Sequence, residues 1–148
     1  MDVEKITIRD ATVQDADVLA PLLNQLGYPS SSQEVVHRIA SYQAPDYRLL
    51  VSEVEGAVNG FIALHVFHLL HWRGKMGRIT AFCVDEQYRL QGVGLRLLEA
   101  AEQWMWSCGC AKLEVSSNDQ RKRTHQFYLK MGYKVDSLRF VKYPPTLP

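Results

Sequence analysis

The sequence carries almost no net charge, few cysteines, no long apolar run and no repeated or compositionally biased stretch. Seventeen basic side chains stand against sixteen acidic ones, for a net charge of +1. Proteins that grip nucleic acid usually show a clear basic excess, so no nucleic-acid partner is expected. There are three cysteines, Cys83, Cys108 and Cys110, an odd count with two of them separated by one glycine. That rules out a disulfide framework and points to a reducing cytoplasm. Neither Cys108 nor Cys110 has a second Cys or His pair at matching spacing, so no metal is expected. The longest apolar stretch, Phe61 to Leu70, is interrupted by His65 and His68 and is too short to cross a bilayer, so no membrane partner is expected either. The first residues, Met1-Asp2-Val3-Glu4-Lys5, are polar and run straight into a strand-like segment, which does not read as a signal peptide.

What remains is an ordinary globular balance. The chain has 148 residues, 47% of them hydrophobic and 22% charged, enough for one domain over residues 1–148 with a single core. Ile6-Thr7-Ile8-Arg9 alternates as a strand does. Thr12-Val13-Gln14-Asp15 reads as a capping box before an apolar helical stripe of Leu19, Leu22, Leu23 and Leu26 that Gly27 ends. Pro21, inside that stripe, is expected to kink or split the helix. Ser31-Ser32-Gln33-Glu34 starts a second helix with Val35, Ile39 and Tyr42 inward. Arg48 to Val54 and Val58 to Leu70, joined by Glu55-Gly56, predict an antiparallel hairpin, and Arg78 to Val84 a further strand. A helical face of Leu97, Leu98, Ala101, Trp104, Met105 and Cys108 follows, closed by Gly109. Then come a short strand from Lys112 to Ser116, a helical stripe of Thr124, Phe127, Tyr128 and Met131, and two strands at Tyr133–Val135 and Arg139–Tyr143. An antiparallel meander followed by alternating helix and strand implies an α+β fold with a mixed, mostly antiparallel sheet.

The chemistry concentrates between Val84 and Leu98. A strand ends there, Arg89 lies in the loop, and Gly92 and Gly94 lead into an amphipathic helix. Unpaired amides at a helix start, the positive end of the helix dipole and glycines that let a ligand approach the backbone together suit an anion. A triphosphate loop needs Lys-Ser/Thr after its second glycine, and here Leu95-Arg96 stands instead. The dinucleotide fingerprint needs a third glycine, which is missing. Two glycines also serve a tight strand-to-helix turn with no ligand, and the glycines alone do not separate these readings.

Asp85-Glu86-Gln87-Tyr88-Arg89-Leu90-Gln91-Gly92-Val93-Gly94-Leu95 resembles the acetyl-coenzyme A signature of the GNAT N-acetyltransferase superfamily, Gln/Arg-x-x-Gly-x-Gly/Ala. Farther on, Arg121-Lys122-Arg123-Thr124-His125-Gln126-Phe127-Tyr128-Leu129-Lys130-Met131-Gly132-Tyr133 resembles the Arg-x-x-Ala-His-x-Phe-Tyr-x-x-x-Gly-Phe of one branch, with Thr124 for alanine and Tyr133 for phenylalanine. The resemblance is strong from about Ile79 to Tyr133, and element order extends it weakly over the whole chain. The resemblance implies a GNAT-like fold, a sheet of about six to seven strands flanked by about four helices. It implies an acetyl-coenzyme A-dependent N-acetyltransferase that moves acetyl directly to a primary amine on a small molecule or peptide, and it allows a homodimer.

By position, the resemblance gives the amides of Gln91, Gly92, Val93, Gly94 and Leu95, within the turn that Arg89 and Leu90 begin, to the coenzyme pyrophosphate. It gives the backbone of Phe82, Cys83 and Val84 to the pantetheine arm. Asn118 is a further polar contact to that arm, Arg121 (with Lys122 and Arg123) reaches the 3′-phosphate, and Tyr128 protonates the departing thiolate. An ordinary phenol stays protonated at neutral pH, which suits a proton donor. One departure concerns the base: many relatives carry a glutamate four residues before the valine ending the fourth strand, and here Thr80 stands there. His65 and His68 are the nearest alternatives, and strand alternation puts His65 and His71 on one face and His68 on the other. Cys83 has no His–Asp arrangement beside it that would make it a nucleophile. The missing carboxylate also leaves open a coenzyme A-binding regulatory module without transfer activity.

Overall fold

A computed structural model describes residues 5–116 and 122–145. By packing, the chain divides into two compact units, residues 1–116 and 117–148. The first contains a five-stranded sheet in the order β1-β2-β3-β4-β5, formed by Ile6–Asp10, Tyr47–Val54, Ala57–His68, Lys75–Val84 and Cys110–Val115. β1 to β4 pair antiparallel and β4 pairs with β5 in parallel, the mixed arrangement expected. Three helices belong to this unit: α1 (Ala16–Leu26), α2 (Ser32–Ser41) and α3 (Val93–Ser107). The second unit contains α4 (Lys122–Lys130). No helix among the described residues is long and apolar enough to cross a membrane.

Alternation along the strands separates two faces of the sheet. On one, Val51, Phe61 and Cys83 pack with Leu19, Leu22, Val35 and Ile39 from α1 and α2. On the other lies α3, whose inward stripe Leu97, Leu98, Ala101 and Met105 is fully buried, as the 3.6-residue period requires. Two glycines let α3 come close. A Cβ on Gly77 would meet Met105 Sδ at 2.6 Å and Leu113 Cδ2 at 2.8 Å. A Cβ on Gly60 would meet Ser52 Oγ at 2.8 Å, Leu97 Cδ1 at 3.0 Å and the Cys83 carbonyl oxygen at 3.1 Å. Ser52 itself is buried and donates to Asn59 Oδ1 at 2.6 Å, so it has little room to yield.

The local signals resolve as follows. Ser31 accepts from the Glu34 amide at 3.1 Å and Glu34 Oε1 accepts from the Ser31 amide at 3.2 Å, the reciprocal cap expected for α2. At the first box, Asp15 Oδ2 accepts from the Thr12 amide at 2.8 Å, while a 3₁₀ turn at Val13–Asp15 precedes α1. Pro21 does not split α1, which runs unbroken from Ala16 to Leu26. Pro21 lies on the exposed side, where water can serve the carbonyl its missing N–H leaves unbonded. The hairpin turns at Glu55 and Gly56 as expected, both with positive φ (53° and 81°). β3 stops at His68 and β4 begins at Lys75, earlier than the sequence suggested.

Five strands rather than six or seven are present among the described residues. Tyr133–Val135 and Arg139–Tyr143, expected as strands, lie in irregular structure, with Val135, Leu138, Phe140 and Tyr143 exposed. Alternation gives a segment the capacity for a strand, but only a paired edge makes it one.

Near the end of β1, Arg9 holds a buried carboxylate. Its Nη1 and Nη2 donate to Asp15 Oδ2 and Oδ1 at 2.9 and 2.8 Å, and its Nε donates to Glu53 Oε1 at 2.8 Å. The Arg9 hydrogen bonds hold the Asp15 carboxyl below its ordinary value of 3.8, against the opposing effect of burial. A carboxyl depressed by folding stabilises the protein fully above that ordinary value, and the contribution disappears as pH falls through the lower folded value. Asp15→Asn should therefore cost about 1–3 kcal/mol at neutral pH, and the variant should lack this share of the wild-type acid destabilisation in urea melts below about pH 4. Gly60→Ala should cost about 1–3 kcal/mol by overpacking, read as a lowered urea midpoint, because one of the atoms it meets is backbone.

Candidate functional site

The site is built where β4 ends. β4 and β5 run in register from Lys75 opposite Cys110 to Ile79 opposite Val115, where their ladder stops. β4 itself continues to Val84, still paired with β3 through Phe61 opposite Cys83 and Gly60 opposite Val84. Phe82 and Val84 are half-buried. Cys83 turns its side chain into the α1 core, with Sγ 3.5 Å from the Leu22 carbonyl oxygen, so its thiol is not presented at the strand end.

From Val84 the chain is tied down at short intervals. The Asp85 amide donates to the Asn59 carbonyl at 2.8 Å, and Asp85 Oδ1 accepts from the Gln87 amide at 3.0 Å to cap a 3₁₀ turn, Glu86–Tyr88. Arg89 Nε donates to the Val84 carbonyl at 3.1 Å, which brings the guanidinium over the strand end and uses one lone pair of a carbonyl expected to face the coenzyme arm. Gln91 Nε2 donates to the Gln87 carbonyl at 3.3 Å. Leu90, 89% exposed, has φ of 65°, a conformation that costs a non-glycine residue about 1–2 kcal/mol.

Gly92 is the N-cap of α3, with φ of 88° in the left-handed region. The first helical bond runs from the Arg96 amide to the Gly92 carbonyl at 3.1 Å. The amides of Val93, Gly94 and Leu95 therefore lie ahead of the ladder and have no acceptor within the helix. No side chain caps this end and no acidic residue occupies its first turn. α2, by contrast, carries Glu34 in its first turn and is capped by Ser31. Val93 is buried and anchors the helix start, leaving only its backbone for a ligand. A helix start so prepared, positive and with no acidic residue in its first turn, suits an anion.

Thr80 stands at a β-bulge. Ala63 lies opposite Ala81 and Leu64 opposite Ile79, so Thr80 is the extra residue of β4. Its Oγ1 donates to the Ala63 carbonyl and lies 3.2 Å from Tyr42 Oη. Beside them Tyr47 and His65 stack at 4.1 Å between centroids, and Phe67 stacks on His65 at 5.0 Å. No sequence signal marks this grouping, because its members come from the C-cap of α2 and from β2, β3 and β4. His68 ends β3 and is exposed; His71 lies beyond the strand, so the alternation that paired it with His65 does not reach it.

In the second unit, Tyr128 is buried on α4, with its ring edge-on to Phe127 at 5.6 Å and to Tyr133 at 5.5 Å. Asn118 and Arg121 lie outside the described residues. Cys108 and Cys110 are free thiols, and burial raises the pKa of Cys110. Two open cavities of about 330 and 570 Å³ lie at the β1–β2 end, where Arg48 pairs with Asp10 beside Trp104, and neither touches the glycine turn.

A model of the acetyltransferase (GNAT) family matches residues 17–133. The chain is 31% identical over 140 residues to an aminoalkylphosphonate N-acetyltransferase of Salmonella typhimurium, covering 91% of this chain and 89% of that one. It is 24% identical over 142 residues to a thialysine N-epsilon-acetyltransferase of Bos taurus, with coverage of 86% and 83%. An aminoglycoside N-acetyltransferase solved in complex with CoA shares the fold, with a TM-score of 0.80 at 15% identity over 96% of this chain and 95% of that one. The chain belongs to the acetyltransferase (GNAT) family and is an N-acetyltransferase.

Proposed function

We propose that residues 1–148 work as one transferase domain that moves acetyl from acetyl-coenzyme A to the primary amine of a small molecule by direct attack in a ternary complex. The observation that carries this is the uncapped, carboxylate-free start of α3 at Gly92, beside the end of β4. The amides of Gln91 to Leu95 would hold the pyrophosphate, and the backbone of Phe82, Cys83 and Val84 the pantetheine arm, with Arg89 steadying the strand end. Asn118 would add a polar contact to the arm and Arg121 would meet the 3′-phosphate. Holding both reactants together and polarising the carbonyl with fixed donors supplies most of the acceleration. Tyr128 would give its proton to the departing sulfur. The Cys83 thiol, turned into the core, supports direct transfer over an acetyl-cysteine route. The odd count of cysteines, two of them one residue apart, supports a reducing cytoplasmic setting.

The relatives named for an aminoalkylphosphonate and for thialysine support a small amine as acceptor. We accordingly choose 2-aminoethylphosphonate and thialysine as first acceptors, followed by a broader panel of amines. Thiol release from acetyl-coenzyme A on any of them is the expected result. Tight coenzyme binding without release on any amine would mark a regulatory module instead.

Gly92→Ala should weaken coenzyme affinity modestly, through a side chain forced to positive φ at about 1–2 kcal/mol. Gly92→Glu should weaken it further by placing a carboxylate against the phosphates, and the gap between the two should narrow as salt is added. Equal affinities for the two variants would overturn the pyrophosphate assignment. Tyr128→Phe should lower kcat on the order of 10²-fold with little change in coenzyme Kd, and an unchanged kcat would remove Tyr128 from the acid role.

A further inference from the structure

Direct transfer needs an uncharged amine, and a primary amine near neutral pH arrives as an ammonium ion. Thr80 can neither hold nor take that proton as a carboxylate would. The groups around it change the question. Tyr42 Oη lies 3.2 Å from Thr80 Oγ1, and the Tyr42 ring meets Tyr47 edge-on at 5.3 Å. Tyr47 in turn lies flat on His65, 4.1 Å away with 9° between the planes. His65 is opposite Arg78 in the β3–β4 register, one residue before Ile79, where the β4–β5 ladder ends. Its backbone thus lies one strand from the point where β4 and β5 part.

A carboxylate stands behind it. Asp46 Oδ2 lies 3.6 Å from His65 Nε2, and the Asp46 backbone is fixed to β3 by the Val66 amide, which donates to its carbonyl at 2.8 Å. The imidazole is three-quarters covered while Asp46 is half-exposed. Among the described residues, Arg78 and Glu114 also stand near, and they pair with each other, the Arg78 guanidinium lying over the Phe67 ring at 4.9 Å. The arginine's charge is thereby answered by Glu114, and Asp46 is left as the carboxylate facing the imidazole. Stacking on both sides fixes the ring plane, as a group must be fixed to take a proton from one direction.

We propose that His65, oriented by Asp46, accepts the proton of the acceptor ammonium, directly or through a water held at the Tyr42–Thr80 hydroxyls. This rests on the transfer reading above. Asp46 Oδ2 faces Nε2 at 3.6 Å, longer than a hydrogen bond, and Nδ1 is the ring nitrogen assigned here to accept. One N–H bond of the ammonium breaks and one forms at Nδ1, and the imidazolium faces the Asp46 carboxylate. The freed lone pair forms the C–N bond as the C–S bond breaks and Tyr128 protonates the sulfur; the second N–H proton leaves the nitrogen as the amide forms and restores the Tyr128 phenol through water, and His65 returns its own proton to solvent. The whole reaction releases one proton, from an ammonium to an amide.

The test compares pH profiles of kcat/KM for the amine, with 2-aminoethylphosphonate or thialysine as acceptor, in wild type, His65→Gln and Asp46→Asn. His65→Gln should lose on the order of 10²-fold near pH 7, with an unchanged KM for acetyl-coenzyme A. The deficit should close as pH approaches about 10, where the amine sheds its own proton. Asp46→Asn, an exposed position that leaves the stack intact, should show a smaller deficit with the same pH trend. A deficit equal at every pH, or none in either variant, would overturn the proposal. Failure of the wild type to release thiol on any amine would overturn the transfer reading and this proposal with it.

Discussion

The close seat of α3 on the sheet governs the rest of the structure. Leu97 lies over Gly60 and Met105 over Gly77, at separations that leave no room for a Cβ on either strand residue. Dispersion and apolar burial along this contact fix the helix, since a core packed at crystal-like density does not let one element slide on another. Once the helix is fixed, its N-terminus is fixed beside the end of β4. The amides ahead of the Arg96–Gly92 bond then face a place the fold has determined rather than a mobile loop. A functional group carried on rigid elements is held with the precision that binding a diphosphate requires.

The two sides of the proposed reaction would be handled by different means. The donor side would use backbone: amides at a helix start, a left-handed glycine, and a strand end whose last carbonyl is held by Arg89. Such a site would tolerate many side chains, Val93 and Leu95 among them. The proposed acceptor side would use side chains drawn together across the sheet. The bulge at Thr80 turns that residue toward Tyr42, and the stack of Tyr47, His65 and Phe67 extends from it with Asp46 behind. Its composition can vary without touching the coenzyme turn.

Much of the local structure was legible in the sequence because it rests on short-range physics. Gly92 before an amphipathic stripe, the Ser31–Glu34 box and the Glu55-Gly56 turn each depend on neighbours within a few residues, and each formed as read. The split expected at Pro21 did not occur, because water reaches the exposed side of α1 where its missing N–H leaves a carbonyl unbonded. The segments after Gly132 misled in the opposite direction. Their alternation is that of a strand, but pairing is a property of two segments, and the described residues give Arg139–Tyr143 no regular structure. His71 was placed by extending an alternation past the point where β3 stops.

The sequence alone determined the order of elements as far as α4, the mixed sheet and the glycine turn at the start of α3, which follow from periodicity, capping and backbone freedom acting over a few residues; the resemblance of two motifs pointed to the family. Tertiary structure decided what long-range packing alone can decide: the depth at which α3 rests on Gly60 and Gly77, the bulge that makes Thr80 an extra residue, and the meeting of Tyr42, Asp46 and His65. Those groups are far apart or on different elements, and register between strands brings them together. A change of one residue in that register would send every side chain of the strand to the other face.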